Sequence, residues 1–147
     1  MVSQAPPPPA EDTTATPIPK RVLLVDDSSG FRGLLQMFLS GVPGVEVVGE
    51  AADGVEAITA VLRTKPDLVL MDVRMPALNG LQATKRLRNA GESARIVLLS
   101  AYGDAIPRWL AHEVGADDVL DKSCLGERLR DALSAVRPQS TSGQEGA

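Results

Sequence analysis

Between residues 20 and 137, short unbroken apolar runs alternate with longer stretches in which apolar residues recur every three or four positions. A run of four or so apolar residues fits a strand covered on both faces, whereas the wider spacing marks one side of a helix. Residues 22–25 read as a first strand, and Phe31, Leu34, Leu35, Phe38 and Leu39 as the apolar face of the helix after it. Residues 45–49 form a second strand. Asp53, with Glu56 three positions on, makes a capping pair for a second helix carrying Val55, Ile58, Val61 and Leu62, which Pro66 closes. Residues 68–71 are a third strand, and Gly80 opens a helix with Leu81, Thr84 and Leu87 on one side. Residues 96–99 are a fourth strand; Ile106, Trp109, Leu110 and Val114 mark a fourth helix. Residues 119–120 are a short fifth strand, and Leu125, Leu129, Ala132, Leu133 and Val136 face inward from a fifth helix. Parallel strands need crossover connections, and those are usually helical. The alternation therefore predicts one α/β domain, an open, mainly parallel sheet with helices on both faces.

The flanks read differently. Residues 1–19 hold six of the 11 prolines, and neither they nor residues 139–147 carry enough apolar side chains to offset the entropy of ordering. Both are expected to be disordered tails around a domain at 20–138. All 15 basic residues lie inside that domain, and only Glu11, Asp12 and Glu145 of the 19 acids lie outside it. The domain is thus near neutral, with no electrostatic footprint for nucleic acid. No apolar run approaches the ~20 residues of a membrane span, and the N-terminus lacks the apolar core of a secretory signal. The single cysteine, Cys124, can form no intrachain disulfide, and the expected compartment is the cytoplasm.

In open α/β sheets ligands bind beyond the carboxyl ends of the strands. The first apolar run ends in Asp26-Asp27, the third in Asp72 and the fourth in Ser100, and the fifth reaches Lys122 two residues after Leu120. Three carboxylates, a hydroxyl and an ammonium should therefore meet on one edge. Crowded carboxylates raise one another's pKa unless a cation neutralises them. With oxygen donors and no His or Cys at these positions, Mg2+ is the fitting ion. An aspartate on such an ion can attack a phosphoryl group, with a lysine stabilising the transferred oxygens.

At these residues the chain resembles the receiver domain of bacterial two-component response regulators, above all receivers attached to helix-turn-helix transcription regulators. The resemblance is carried by Val25-Asp26-Asp27, Met71-Asp72-Val73-Arg74-Met75-Pro76, Asn79-Gly80, Leu99-Ser100-Ala101, Gly115-Ala116-Asp117 and Lys122-Ser123. It implies a flavodoxin-like (βα)5 fold with strand order 2-1-3-4-5. It makes Asp72 the acceptor of a phosphoryl group from a sensor histidine kinase. Mg2+ would be held by Asp27 and Asp72, by Asp26 mainly through water, and by the Arg74 backbone carbonyl. Lys122 would pair with the phosphoryl group, and Ser100 would move toward it, altering the face of helix 4, strand 5 and helix 5 offered to a downstream protein or a second copy of the chain. The chain would be a phosphoacceptor assisting its own phosphotransfer rather than a turnover enzyme.

The chain departs from the family pattern at Val119 and Ser123. Val119 stands where relatives carry a switching aromatic, with Tyr102 and Trp109 nearby; the simpler expectation for these two is a loop tyrosine and a packed helix tryptophan. Ser123 stands where many relatives have proline, leaving the isomer of the preceding peptide bond open. Arg74 and Tyr102 are bulky positions two residues beyond Asp72 and Ser100, so slow loss of phosphate is expected, and Arg74→Asn should accelerate it in a dephosphorylation time course. Arg74 also occupies the place where aspartate-nucleophile phosphohydrolases carry a second aspartate, which argues against that activity. A phosphorylation-independent interaction module is the alternative that Val119 favours; a receiver cut from a DNA-binding regulator is another. His112 is expected near a helix surface, and Cys124 in the first turn of the last helix.

Overall fold

The computed structural model describes residues 18–101 and 106–138. Both proposed tails, apart from residues 18 and 19, and Tyr102 lie outside the described residues. Five strands, β1 (Lys20–Val25), β2 (Val45–Ala51), β3 (Leu68–Asp72), β4 (Arg95–Ser100) and β5 (Asp118–Asp121), pair in parallel in the order β2-β1-β3-β4-β5. Between and after them come α1 (Ser29–Ser40), α2 (Gly54–Thr64), α3 (Gly80–Asn89), α4 (Arg108–Glu113) and α5 (Gly126–Ser134). A single 3-10 turn, Lys122–Cys124, separates β5 from α5. The flavodoxin-like order expected from the resemblance is the one found.

The strands divide their side chains by the pleat's period of two. Leu23, Val25, Val69, Met71, Ile96 and Leu98 face α2, α3 and α4. Val22, Leu24, Leu68, Leu70, Val97 and Leu99 face α1 and α5. Because both faces are covered, these strands read as continuous apolar runs.

The helices bury less than their apolar periodicity suggests. On α1, Leu35 and Leu39 are buried but Leu34 is exposed; on α2, Ala57, Ala60 and Val61 carry the contact while Val55 and Leu62 face outward. A helix against a flat sheet buries a narrow stripe, and small residues let it sit close. Trp109, expected to pack, is 69% exposed. The fourth helix is six residues long, starts after Ile106 and buries only Ala111. The expected Asp53 cap accepts from the Glu56 amide at 2.8 Å, but the Glu56 carboxylate turns to the Ala52 amide. Cys124 lies in the 3-10 turn, not in the first turn of α5, and no described peptide bond is cis. His112 is exposed on α4. Among the described residues no helix is long and apolar enough to cross a membrane.

Candidate functional site

Strand register assembles one cluster at the carboxyl edge. Val25 pairs with Met71, so Asp26 and Asp72 emerge side by side; Asp72 pairs with Leu99, so Ser100 stands one step beyond it on the next strand. Ser100 in turn pairs with Asp121, and Lys122 follows directly. Asp121 accepts the Ser123 amide at 2.8 Å and the Ser123 hydroxyl at 2.7 Å, which folds the 3-10 turn that carries Lys122.

Asp26, Asp27 and Asp72 each bring a carboxylate oxygen within 4.8 Å of the others. Asp26 is wholly buried and Asp72 nearly so, whereas Asp27 is exposed. The Lys122 ammonium spans the two buried acids, 2.7 Å from Asp26 Oδ2 and 3.3 Å from Asp72 Oδ1. Burial, then the charges of Asp26 and Asp27, push the Asp72 carboxyl up to about 6 against the pull of Lys122. Burial by itself lowers the Lys122 ammonium, but Asp26 and Asp72 outweigh it and hold the group above its ordinary value.

Two local devices fix this geometry. Asp26 Oδ1 accepts the Ser28 amide at 2.9 Å, and Ser28, the N-cap of α1, accepts the Phe31 amide at 3.1 Å. From α1, Arg32 donates to the Asp26 carbonyl at 2.5 Å and pairs with Glu50 at 2.6 Å. On the other side, Asn79 and Gln82 form a capping box at the start of α3. A Cβ at Gly80 would collide with the Asp72 carbonyl, so glycine is what lets α3 begin against the strand end that bears Asp72.

The site fits a hard divalent cation on its own chemistry. Its donors are all oxygens, and two of the three acids are buried, with the Lys122 ammonium between them. A cation would answer the mutual repulsion that helps to raise Asp72.

The residues expected at the site thus lie along this edge: Asp26, Asp27, Asp72 and Lys122 in one cluster, Ser100 buried at the end of β4, and the backbone of Arg74 two residues past Asp72 in the β3–α3 loop. Sequence reasoning missed Phe31, whose ring centroid is 4.3 Å from Lys122 Nζ. Its place two residues into α1 was the available signal, but its apolar spacing assigned it wholly to the core.

Residues 22–134 match the family model described as response regulator receiver domain. The chain is similar to the chemotaxis protein CheY of Thermotoga maritima, 38% identical over 80% of this chain and 97% of that protein. It is also similar to the transcriptional regulatory protein LiaR of Bacillus subtilis, 35% identical over 79% of this chain and 55% of that one. The solved receiver domain of NarL from Mycobacterium tuberculosis superposes with a TM-score of 0.73 at 32% identity, covering 80% of this chain and 96% of that one. The chain thus spans nearly all of CheY and about half of LiaR, and between 24% and 32% of the protein-glutamate methylesterases it also matches. The order of strands and the extent of the match agree, and the chain belongs to the response regulator receiver family of two-component systems.

Proposed function

We propose that this receiver takes a phosphoryl group onto Asp72 from the phosphohistidine of a sensor kinase and thereby changes the surface it offers to a protein partner. The observation that carries the reading is the placement of Lys122 Nζ 3.3 Å from Asp72 inside a cluster of three carboxylates. An Asp72 oxygen attacks phosphorus, the P–N bond breaks and its electron pair stays on the ring nitrogen; the proton carried by the other ring nitrogen lets the histidine leave neutral. Lys122 holds a cation beside the transferred oxygens. Mg2+, held by Asp27, Asp72, the Arg74 carbonyl and, through water, Asp26, would neutralise charge on the phosphoryl group. Ser100 is the hydroxyl nearest in register to engage the phosphoryl group, and α4, β5 and α5 form the face that changes. The chain acts as a phosphoacceptor, not a turnover enzyme, and the reading places it in the cytoplasm. Where it forms part of a longer regulator, DNA binding would belong to the remainder.

Incubation with acetyl phosphate and Mg2+ tests the reading. The expected outcome is a phosphorylated product in the wild type and none in Asp72→Ala. No product in the wild type would favour the phosphorylation-independent module, a reading supported by the aliphatic, half-buried Val119 at the switch position. Product in both proteins would move the acceptor elsewhere.

A further inference from the structure

Lysine reaches the site on a flexible four-carbon stem, so the position of its ammonium is set by what surrounds it. Lys122 Nζ has three neighbours: Asp26 at 2.7 Å, Asp72 at 3.3 Å and the Phe31 ring, its centroid at 4.3 Å. The shortest contact is to Asp26, a group that cannot accept phosphate in the proposed reaction. A divalent cation among the three acids would satisfy the Asp26 charge and repel the ammonium. The aromatic face is the one attraction with which such a cation does not compete, since it acts through the ring quadrupole and not through a carboxylate.

The ring is built into the same turn as the acid. The Ser28 amide donates to Asp26 Oδ1, and the Ser28 side chain accepts the Phe31 amide, so one cap orients both the carboxylate and the ring. Phe31 is half-buried and packs against the core shared by α1 and α5, which limits the ring's freedom.

We propose that Phe31 is a positioning residue for phosphoryl acceptance: its ring face holds the Lys122 ammonium beside Asp72 when the charge of Asp26 is taken up by a bound cation. The inference rests on the function proposed above. It predicts that an aromatic ring, and not simply an apolar side chain, is required at this position.

A double-mutant cycle read by phosphorylation with acetyl phosphate and Mg2+ tests it. Phe31→Leu should slow the reaction about five- to thirtyfold, the range expected for losing a partly desolvated cation–π contact. Phe31→Trp should restore most of the rate. In a Lys122→Met background Phe31→Leu should change the residual rate less than twofold, because the ring then has no cation to hold. Equal slowing in both backgrounds, or an unchanged rate in Phe31→Leu, would overturn the proposal while leaving the wild type phosphorylated. A wild type that takes no phosphate would instead defeat the function itself. The contact has its own readout in the metal-free protein. The Lys122 Cε protons should be shifted upfield by the ring current and return to ordinary values in Phe31→Leu; unshifted protons in the wild type would also overturn it.

Discussion

Where the strands begin, aspartates hold backbone; where they end, aspartates crowd one another. At the amino edge Asp67 is buried and its Oδ2 accepts the Arg21 amide at 2.8 Å. Asp117 Oδ2 accepts the Ile96 amide at 2.8 Å and Arg88 Nη2 at 2.9 Å. Arg88 also donates to the carbonyls of Gly115, Glu92 and Ala94, each at 2.7 Å. Here carboxylate charge meets fixed donors, and the result is a joint between α3, β4 and the turn before β5. At the carboxyl edge Asp26 and Asp72 share the ammonium of Lys122. The same residue type serves stability where donors suffice and creates binding capacity where they do not.

The sharpest way to break this comparison is to empty the amino-edge joint. Arg88→Ala leaves three carbonyls and the Asp117 carboxylate without their shared donor, and should cost about 3 kcal/mol in urea unfolding, since each charged hydrogen bond is worth roughly 1.5 to 3 kcal/mol and neighbouring losses overlap. A loss under about 1 kcal/mol, the scale of an exposed ion pair, would show that the joint is only a surface feature.

The opposite sign is expected at the carboxyl edge. Burial and the neighbouring acids push Asp72 up to about 6 in the folded protein from an ordinary 3.8, so between those values the native state binds the proton that the unfolded state has released. The contribution of this group to stability therefore falls as pH rises from about 4 through 6 and stays low above that. Asp72→Asn removes the penalty, and in metal-free buffer near pH 7.5 it should stabilise the protein by about 1 to 3 kcal/mol, the upper figure being a shift of about two units at 1.36 kcal/mol each. The advantage of the variant should vanish near pH 4 and shrink when Mg2+ is added. A variant less stable than the wild type at every pH would mean that Lys122 fully compensates the crowding.

Asp27 separates charge from fold within that edge. Exposed and placed among the three acids, it should tolerate Asp27→Ala within about 0.5 kcal/mol in the absence of metal. The rise in melting temperature that Mg2+ confers on the wild type should nevertheless be largely lost, because binding to the native state alone is what produces it. An undiminished Mg2+ shift would take Asp27 out of the cation site.

The two edges also differed in how far the sequence revealed them. The carboxyl edge was legible because Asp26, Asp72 and Ser100 each follow directly on an apolar run, Asp27 comes next after Asp26 and Lys122 two residues after Leu120, and runs of that length end where a strand leaves the core. The strand order was not legible from periodicity and came from family resemblance, since alternation specifies that strands cross over but not in which direction. Arg88 was invisible: it lies among the charged residues of α3, and only the fold brings it to Gly115 and Asp117. Ala57 and Ala60 went unnoticed for the converse reason. Apolar spacing gives weight to large side chains such as Val55 and Leu62, while close helix–sheet contact selects small ones.

The smallest effects concern backbone, and they pair one residue from each edge. Lys65 caps α2 on the way to the start of β3 with φ 51°, and Ala77 turns the loop after β3 with φ 66°. Both occupy the left-handed region, where a Cβ costs about 1 to 2 kcal/mol relative to glycine. Glycine gives back about 0.4 to 1 kcal/mol through the greater freedom of the unfolded chain, so Lys65→Gly and Ala77→Gly should each gain about 0.5 kcal/mol in urea unfolding. Ala77 also lies between Asp72 and Gly80, in the loop that the Gly80 amide closes by donating a hydrogen bond to the Val73 carbonyl at 2.9 Å. If the carboxyl edge is held by that closure and by the α3 cap, Ala77→Gly should raise stability without weakening the Mg2+ shift. If instead the alanine itself stiffens the loop that carries the Arg74 carbonyl, stability would rise while the Mg2+ shift falls, and Lys65→Gly, at the amino edge, would show no such divergence.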